Sequence, residues 1–333
     1  MKLKEIGEFG FIDRIKEGCL IREKNVIKAI GDDCSVFRMS GDLVSLFTTD
    51  MLVENIHFLR RPMPPFKLGR KSLAVNISDI AAMGGTPREA VISIAIPADL
   101  DVEYLDELYD GIKSMAKEFE VNLLGGDTTS SPQHLVINIA LVGEAPENEV
   151  LYRSGAKPGD DIFLTGMVGS SAAGLDLLLS GRDPGCWSEL LDAHYDPNPH
   201  VKAGRIIAGL RCANSMIDVS DGVASDLGHI CAESGVGAII DEGQIPVNKL
   251  FENYVTTHNL DYENLSLHVG EDYVLLGTAP EAMTSKLQSA LRTANCDFFT
   301  VGKIVEGSGI KLSGRNGSIK EISPSGYDHF RKQ

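Results

Sequence analysis

The residues best equipped for chemistry in this chain are acids that interrupt apolar elements or end strands: Asp33, Asp50, Asp79, Asp127, Asp218 and Asp221. A carboxylate set beside a packed face is expensive unless something neutralises it. No Cys/His cluster accompanies these acids, which argues against zinc. An all-oxygen donor set suits Mg²⁺, which usually arrives with substrate phosphates. Lysine and arginine number 31 against 47 aspartates and glutamates, a net charge of −16, so a bound phosphate needs cations between it and the protein. Together these features read as Mg²⁺ ions on a nucleoside triphosphate, the arrangement phosphoryl transfer uses: positioning and charge neutralisation, with little covalent work for the protein. The acceptor does not follow from them.

The elements that must position these acids are legible in outline. Gly69 to Gly85, GRKSLAVNISDIAAMGG, reads as a helix with Leu73, Ile77, Ile80, Ala81 and Gly84 on its buried face. Asn76, Asp79 and Met83 fall about a quarter-turn away, and the small residues near its end allow another backbone to come close. Val26 to Ile30 is a predicted strand running into Gly31-Asp32-Asp33, which can be a plain turn or a ligand pair for a hard cation. Leu43 to Phe47 is expected to be a strand ending in the oxygen cluster Thr48-Thr49-Asp50. His57, a single histidine beside Phe58, reads as a packed or surface residue rather than a catalytic one. Asp101 to Glu120 is an amphipathic helix with Asp101 as its cap. Val121 to Leu124 is a short strand ending at Gly125-Gly126-Asp127, where glycines let a backbone approach a ligand. In the second half, Asp160 to Thr165 is a strand, and Gly166 to Ser171 is a small-residue loop before a helix, similar to an anion-binding helix N-terminus. Neither a P-loop nor a dinucleotide fingerprint is present. Ser220 or Asp221 can cap the helix Val223 to Ser234; Asp218, between Ile217 and Val219, is not explained by capping. Gly270-Glu271-Asp272-Tyr273 heads another strand, and the tail around Tyr327 carries aromatics that predict docking back onto the protein.

A length of 333 residues predicts two domains. The element order makes them α/β (α+β layered), with an N-terminal mixed sheet over 1–145 and a C-terminal α/β domain with a docking tail over 146–333. Between them, Glu144 to Gly159 is proline-bearing and polar. The acidic balance argues against a nucleic-acid footprint, which needs a basic face. No apolar run approaches the roughly 20 residues of a membrane span, and no long apolar leader opens the chain. Six scattered cysteines without a C-x-x-C motif read as reduced thiols, which predicts a cytoplasmic protein.

The segments GEFGFI, IGDDC, TTDMLVENIHF, KSLAVNISDIAAMGG, LLGGDTT, RSGAKPGD, IDVSDG, GEDY and GYDHF occur in one order from Gly7 to Phe330. That ordered set resembles the thiamine-monophosphate kinases, within the superfamily of aminoimidazole ribonucleotide synthetase. The resemblance implies an N-terminal ATP/Mg domain whose strands pair across a homodimer. It also implies direct in-line phosphorylation of thiamine monophosphate to thiamine diphosphate by ATP, the last step in making that coenzyme, without an essential general base. By motif, Asp33, Thr48, Thr49, Asp50, Asp79, Asp127, Asp218 and Asp221 look like the Mg²⁺ ligands. Tyr109, Gly126, Asp127, Arg153 and Ser220 look like the ATP contacts, and His57, Glu271 and Tyr327 like the thiamine phosphate contacts. Two departures stand out: Val269 where the family commonly has a glycine, and Ser170 where it often has an aspartate. The competing readings are another ATP-using member of the superfamily and a nucleotide-binding regulator without turnover. A selenophosphate synthetase would need a reactive residue in a glycine-rich segment, which Cys19 lacks, and the hydrogenase maturation factor a C-terminal cysteine, where this chain ends in Gln333.

Overall fold

Alternation governs the first sheet. In β3 (Leu43–Val53) the side chains of Val44, Leu46, Thr48 and Leu52 are buried, while Phe47, Thr49 and Met51 face outward. The computed structural model describes residues 10, 12, 24–39, 41–324 and 326. Tyr327 and most of the GEFGFI segment lie outside them. β1 (Val26–Lys28), β2 (Ser35–Arg38), β3, β4 (Thr86–Pro97), β5 (Asn122–Ser131) and β6 (Val136–Pro146) form a six-stranded sheet in the order β1-β2-β3-β6-β4-β5. Only β4 and β5 run parallel, joined by the crossover helix α2 (Val102–Glu118), while α1 (Pro65–Ala82) precedes β4.

Two strands are longer than the sequence suggests. β3 does not end before Thr48; it runs through Asp50 to Val53, because β6 pairs with it along its whole length. β5 likewise continues past Leu124 through Gly125, Gly126 and Asp127, held by β4. The acids thus project from strands rather than hang in the loops after them. Asp101 occupies the capping position of α2, but its side chain makes no capping hydrogen bond.

The second domain is a seven-stranded sheet in the order β13-β12-β9-β11-β7-β10-β8. Its strands are β7 (Asp160–Leu164), β8 (Ser215–Asp218), β9 (Gly237–Asp241), β10 (Leu275–Pro280), β11 (Phe299–Val305), β12 (Ile310–Ser313) and β13 (Ile319–Ile322). Its helices are α3 (Ser170–Ser180), α4 (Ser188–Tyr195), α5 (Val201–Leu210), α6 (Val223–Ser234), α7 (Lys249–His258) and α8 (Glu281–Thr293). Near the tail, a side chain at Gly228 on α6 would meet Pro324, and one at Gly326 would meet the Asp221 carbonyl; the aromatics expected to dock, from Tyr327 on, lie outside the described residues.

The helix α1 lies between the two sheets, against β3, β4 and β6 on one side and against β8 and α5 on the other. Pro65 opens it, at a position where a missing N–H is not felt. Leu68, Leu73, Ile77 and Ile80 are fully buried, each stabilising the fold by about 1.5–3 kcal/mol. The small residues do what their size suggested. A Cβ on Gly69 would sit 1.9 Å from the Leu108 carbonyl oxygen of α2, and one on Gly204 of α5 would sit 2.3 Å from the Ala81 carbonyl oxygen. The predicted face is correct but too narrow: polar residues of α1 are buried as well, among them Lys71, Ser72, Asn76 and Ser78. Among the described residues no helix is long and apolar enough to cross a membrane, and the described cysteines are free thiols.

Candidate functional site

The buried polar side of α1 gathers the acids. Carboxylate oxygens of Asp33, Asp79 and Asp218 lie within 4.8 Å of one another. Asp33 comes from the turn after β1, Asp79 from α1 and Asp218 from the end of β8, so three distant segments and both domains meet here. Thr48 donates its hydroxyl to Asp79, and Ser78 donates to Asp218 at 2.6 Å. The Asp50 backbone N–H bonds the Asn76 amide oxygen at 3.1 Å, fixing β3 against α1. Arg153 donates to Asp33 at 2.6 Å, and its backbone N–H reaches Asp32 at 3.3 Å.

Burial dominates the electrostatics. It lifts the Asp218 carboxyl to about 8, with Asp33 adding to the rise and Ser78 and Arg153 opposing it. It lifts Asp50 to about 6, against a hydrogen bond with Asp79. Asp79 is pushed well above the carboxylate range by burial, then by Asp50, Asp218 and Asp33. Such a group either holds protons or holds a cation. One oxygen of Asp33, Oδ2, is buried without a hydrogen-bond donor, which fits the second case. The converging donors are carboxylate oxygens with a threonine hydroxyl beside them, the chemistry of a hard divalent cation. The residues present therefore fit Mg²⁺.

The predicted ligands do not all join this group. Thr49 faces the opposite side of β3, where it donates to the Ile139 carbonyl at 3.1 Å and accepts from Asn138 at 3.0 Å. Asp127 is exposed on the edge strand β5, opposite Ser93 of β4. Asp221 belongs to a second group, with Asp226 and His229 of α6. Neither Ser220 nor Asp221 caps α6. Gly222 holds the capping position, and the Asp226 carboxylate, buried inside the first turn, accepts the N–H groups of Asp221 (3.2 Å) and Gly222 (3.1 Å). Tyr109 is half-buried against the N-terminal core, and Gly126 lies in β5.

A second polar network flanks the acids along α1. Lys71, 1% exposed, sits 2.9 Å from Glu271 Oε1 and donates to the His194 carbonyl at 3.1 Å. The other oxygen, Glu271 Oε2, is 3.3 Å from His194 Nδ1. Burial pushes the Glu271 carboxyl up, but Lys71, His194 and His57 together outweigh it and the net shift is downward. His57 itself accepts the Val53 N–H at 3.0 Å. Tyr273 lies between the networks; burial first, then Glu271, Asp50, Asp218 and Asp221 hold its hydroxyl protonated. Sequence reasoning missed Lys71, His194, Asp226, His229 and Tyr273. Only Lys71 left a signal, lying eight residues before Asp79 on the same helix.

Against this geometry stand the comparisons with known proteins. The AIR synthase related protein N-terminal domain matches residues 31–145, and the corresponding C-terminal domain matches 157–315. Thiamine-monophosphate kinase of Aquifex aeolicus (strain VF5) is 33% identical over 99% of this chain and 100% of its own length. The enzyme of that name from Escherichia coli (strain K12) is 36% identical over 97% and 98%. The chain belongs to the thiamine-monophosphate kinase family. The solved structure of AaThiL complexed with AMPPCP and TMP superposes with a TM-score of 0.86, at 33% identity over 99% of each chain.

Both departures from the family's pattern find partners. Val269 is extended (φ −109°, ψ 128°) and packs on the α3–α7 core, so a branched side chain is comfortable there. The neighbouring glycine is the indispensable one: a Cβ on Gly270 would lie 2.0 Å from the Ser220 carbonyl oxygen. At Ser170, the hydroxyl accepts from Asn248 at 2.8 Å. A carboxylate still serves the N-terminus of α3, since Asp272 accepts the N–H groups of Gly169 (2.9 Å) and Ser171 (3.3 Å).

Proposed function

We propose that this protein transfers the terminal phosphoryl group of ATP to thiamine monophosphate, giving thiamine diphosphate and ADP by direct in-line displacement, the closing step of that coenzyme's synthesis. The observation that carries the chemistry is the buried meeting of Asp33, Asp79 and Asp218 from three segments, with a carboxylate oxygen left without a donor. The acceptor is supported by the name of the relatives and by a solved relative in complex with AMPPCP, an ATP analogue, and TMP together. Asp33, Asp50, Asp79 and Asp218, with Thr48, would hold Mg²⁺. Asp221 and Asp127 would take more distant positions on the same nucleotide, whereas Thr49, on the opposite face of β3, is turned away from this group. Bound there, Mg²⁺ supplies neutralisation of the charge that builds on the transferring group. Arg153 is placed to exchange Asp33 for phosphate. Tyr109, Gly126, Asp127 and Ser220 remain the proposed nucleotide contacts, and His57, Glu271 and Tyr327 those of the thiamine phosphate. No general base is needed, because the accepting phosphate is already an anion near neutral pH.

The same reading assigns ATP binding and dimerisation to residues 1–145, with residues 146–333 supplying the acceptor's carboxylate. The outward face of the first sheet supports pairing with a second copy in a homodimer: Phe37, Phe47, Met51 and Val91 are all exposed on it. We assign the enzyme to the cytoplasm, with no nucleic-acid or membrane partner.

The deciding experiment is ADP release from MgATP with thiamine monophosphate, with thiamine and with neither. Release that depends on the monophosphate and yields thiamine diphosphate supports the reading; release indifferent to acceptor sinks it.

The raised carboxyls make a second prediction. Asp50, Asp218 and Asp272 titrate near 6, 8 and 7 in the folded chain against about 3.9 unfolded. The folded state therefore holds protons that the unfolded chain has released, and the metal-free protein loses stability as pH rises through this range. His194 and His229, both lowered to about 4 by burial, act oppositely, but only below about pH 6.5. The window from about 6.5 to 8 is clean. Metal-free stability is expected to fall across it, and Mg²⁺ binding at pH 7 to release protons. Calorimetric titration in buffers of differing ionisation enthalpy reads that release; binding without it would remove the carboxylates from the metal site.

A further inference from the structure

Lys71 and Glu271 make an arrangement that stability alone does not explain. Lys71 is buried, and its ammonium faces one oxygen of Glu271 and the His194 carbonyl. A buried ion pair is a poor source of stability, since apolar side chains of similar volume usually serve as well. Glu271 also stands at φ +66°, in the left-handed region that a glutamate rarely occupies, and its N–H bonds the Ser220 carbonyl at 2.8 Å. Two unfavourable features at one residue mark a side chain whose direction matters. The groups facing it come from several elements: Lys71 of α1, His194 of α4, His57 after β3, and Asp272 and Tyr273 of its own loop. Its side chain remains 26% exposed, whereas that of Lys71 is only 1% exposed.

Lys71 and Asp79 share one helix. Eight residues at a rise of about 1.5 Å separate them by about 12 Å along the axis. That helix is anchored at both ends, by Gly69 against α2 and by Ala81 against Gly204 of α5. We propose that Lys71 is a positioning residue for the acceptor: it clamps Glu271 so that α1 sets the separation between the acceptor's carboxylate and the metal-binding acids. This rests on the reading of Glu271 as a thiamine phosphate contact. Lys71 itself touches no substrate in this scheme, and it acts only through Glu271.

The test measures KM for thiamine monophosphate and for MgATP, with kcat, in Lys71→Met, Glu271→Gln and the double variant, with a thermal melt of each. Glu271→Gln is expected to raise the thiamine monophosphate KM at least tenfold while the MgATP KM stays within twofold. Lys71→Met is expected to show the same selective rise. The double variant, which leaves no charge alone, should be no worse than Glu271→Gln. A Lys71→Met enzyme with an unchanged thiamine monophosphate KM, or a further tenfold loss in the double variant, overturns the proposal while leaving the Glu271 reading intact. An unchanged KM in Glu271→Gln overturns that reading and this inference with it. Where Lys71→Met does not fold, Lys71→Gln keeps a donor without the charge and is judged by the same split between the two KM values.

Discussion

Asp79→Asn is expected to lower turnover by roughly a thousandfold, the scale of losing one preorganised electrostatic contact to a charged transition state, without weakening the fold. The two halves of this result have one cause. Burial, and then the neighbouring carboxylates of Asp50, Asp218 and Asp33, push the Asp79 carboxyl well above the usual range. Without a cation the charged form is therefore a burden. Asparagine keeps the shape, and its amide oxygen still accepts from Thr48. The metal-free variant should melt at or above the wild-type temperature, by a few degrees at most, since about 1 kcal/mol moves a domain of this size by about 2–4 °C. The rise in melting temperature that Mg²⁺ is expected to give the wild type should shrink or vanish in the variant. Turnover within threefold of wild type would make Asp79 a packing residue. A melting point lowered by ten degrees would make it a structural acid whose loss says nothing about metal.

This prediction separates the family reading from a nucleotide-binding regulator, which would keep its fold and lose only affinity. The acids were visible because a carboxylate among Leu73, Ile77 and Ile80 has no business in a helix that serves packing alone. Their convergence was not visible, because Asp33, Asp79 and Asp218 are separated by 46 and 139 residues, and only the pairing of β8 with β10 and its contact with α1 bring them together.

Local pattern carried the helices well, since α1, α2 and α6 lie where the sequence predicts them. It failed at strand ends. Thr48 to Asp50 and Gly125 to Asp127 look like turns by composition, yet both lie within strands, because a neighbouring strand holds their backbone and composition cannot show a neighbour. Capping failed for a similar reason. Asp221 is the residue type for a cap, but Asp226, four residues after the capping glycine, reaches the same N–H groups from within the helix. Lys71 is not legible in the sequence, because a lysine in a helix is ordinarily solvated and its burial depends on Glu271 and His194, far along the chain.

Gly126→Ala should have the largest effect on stability, and Gly125→Ala is its control. Gly126 stands opposite Ile92 in the parallel β4–β5 pair, at φ +152°. A Cβ there would lie 1.6 Å from the Ile92 carbonyl oxygen, with the Ile92 carbonyl carbon at 2.5 Å. Both are backbone atoms and neither can rotate away, so β5 must leave β4 or shift its register. Overpacking of about 1–3 kcal/mol and a disfavoured backbone of about 1–3 kcal/mol together suggest roughly 2–6 kcal/mol. Gly125 has a similar φ of +136°, but a Cβ on it would meet nothing within 4 Å. Its alanine should lose only the backbone part, about 1–3 kcal/mol. Chemical denaturation of both variants reads the difference directly. Gly126→Ala should also weaken MgATP binding, because Asp127 follows it on the displaced strand, whereas Gly125→Ala should leave β5 in place. If the two variants melt together, the strand yields more easily than its register implies, and the glycine pair is there for the ligand rather than for the sheet.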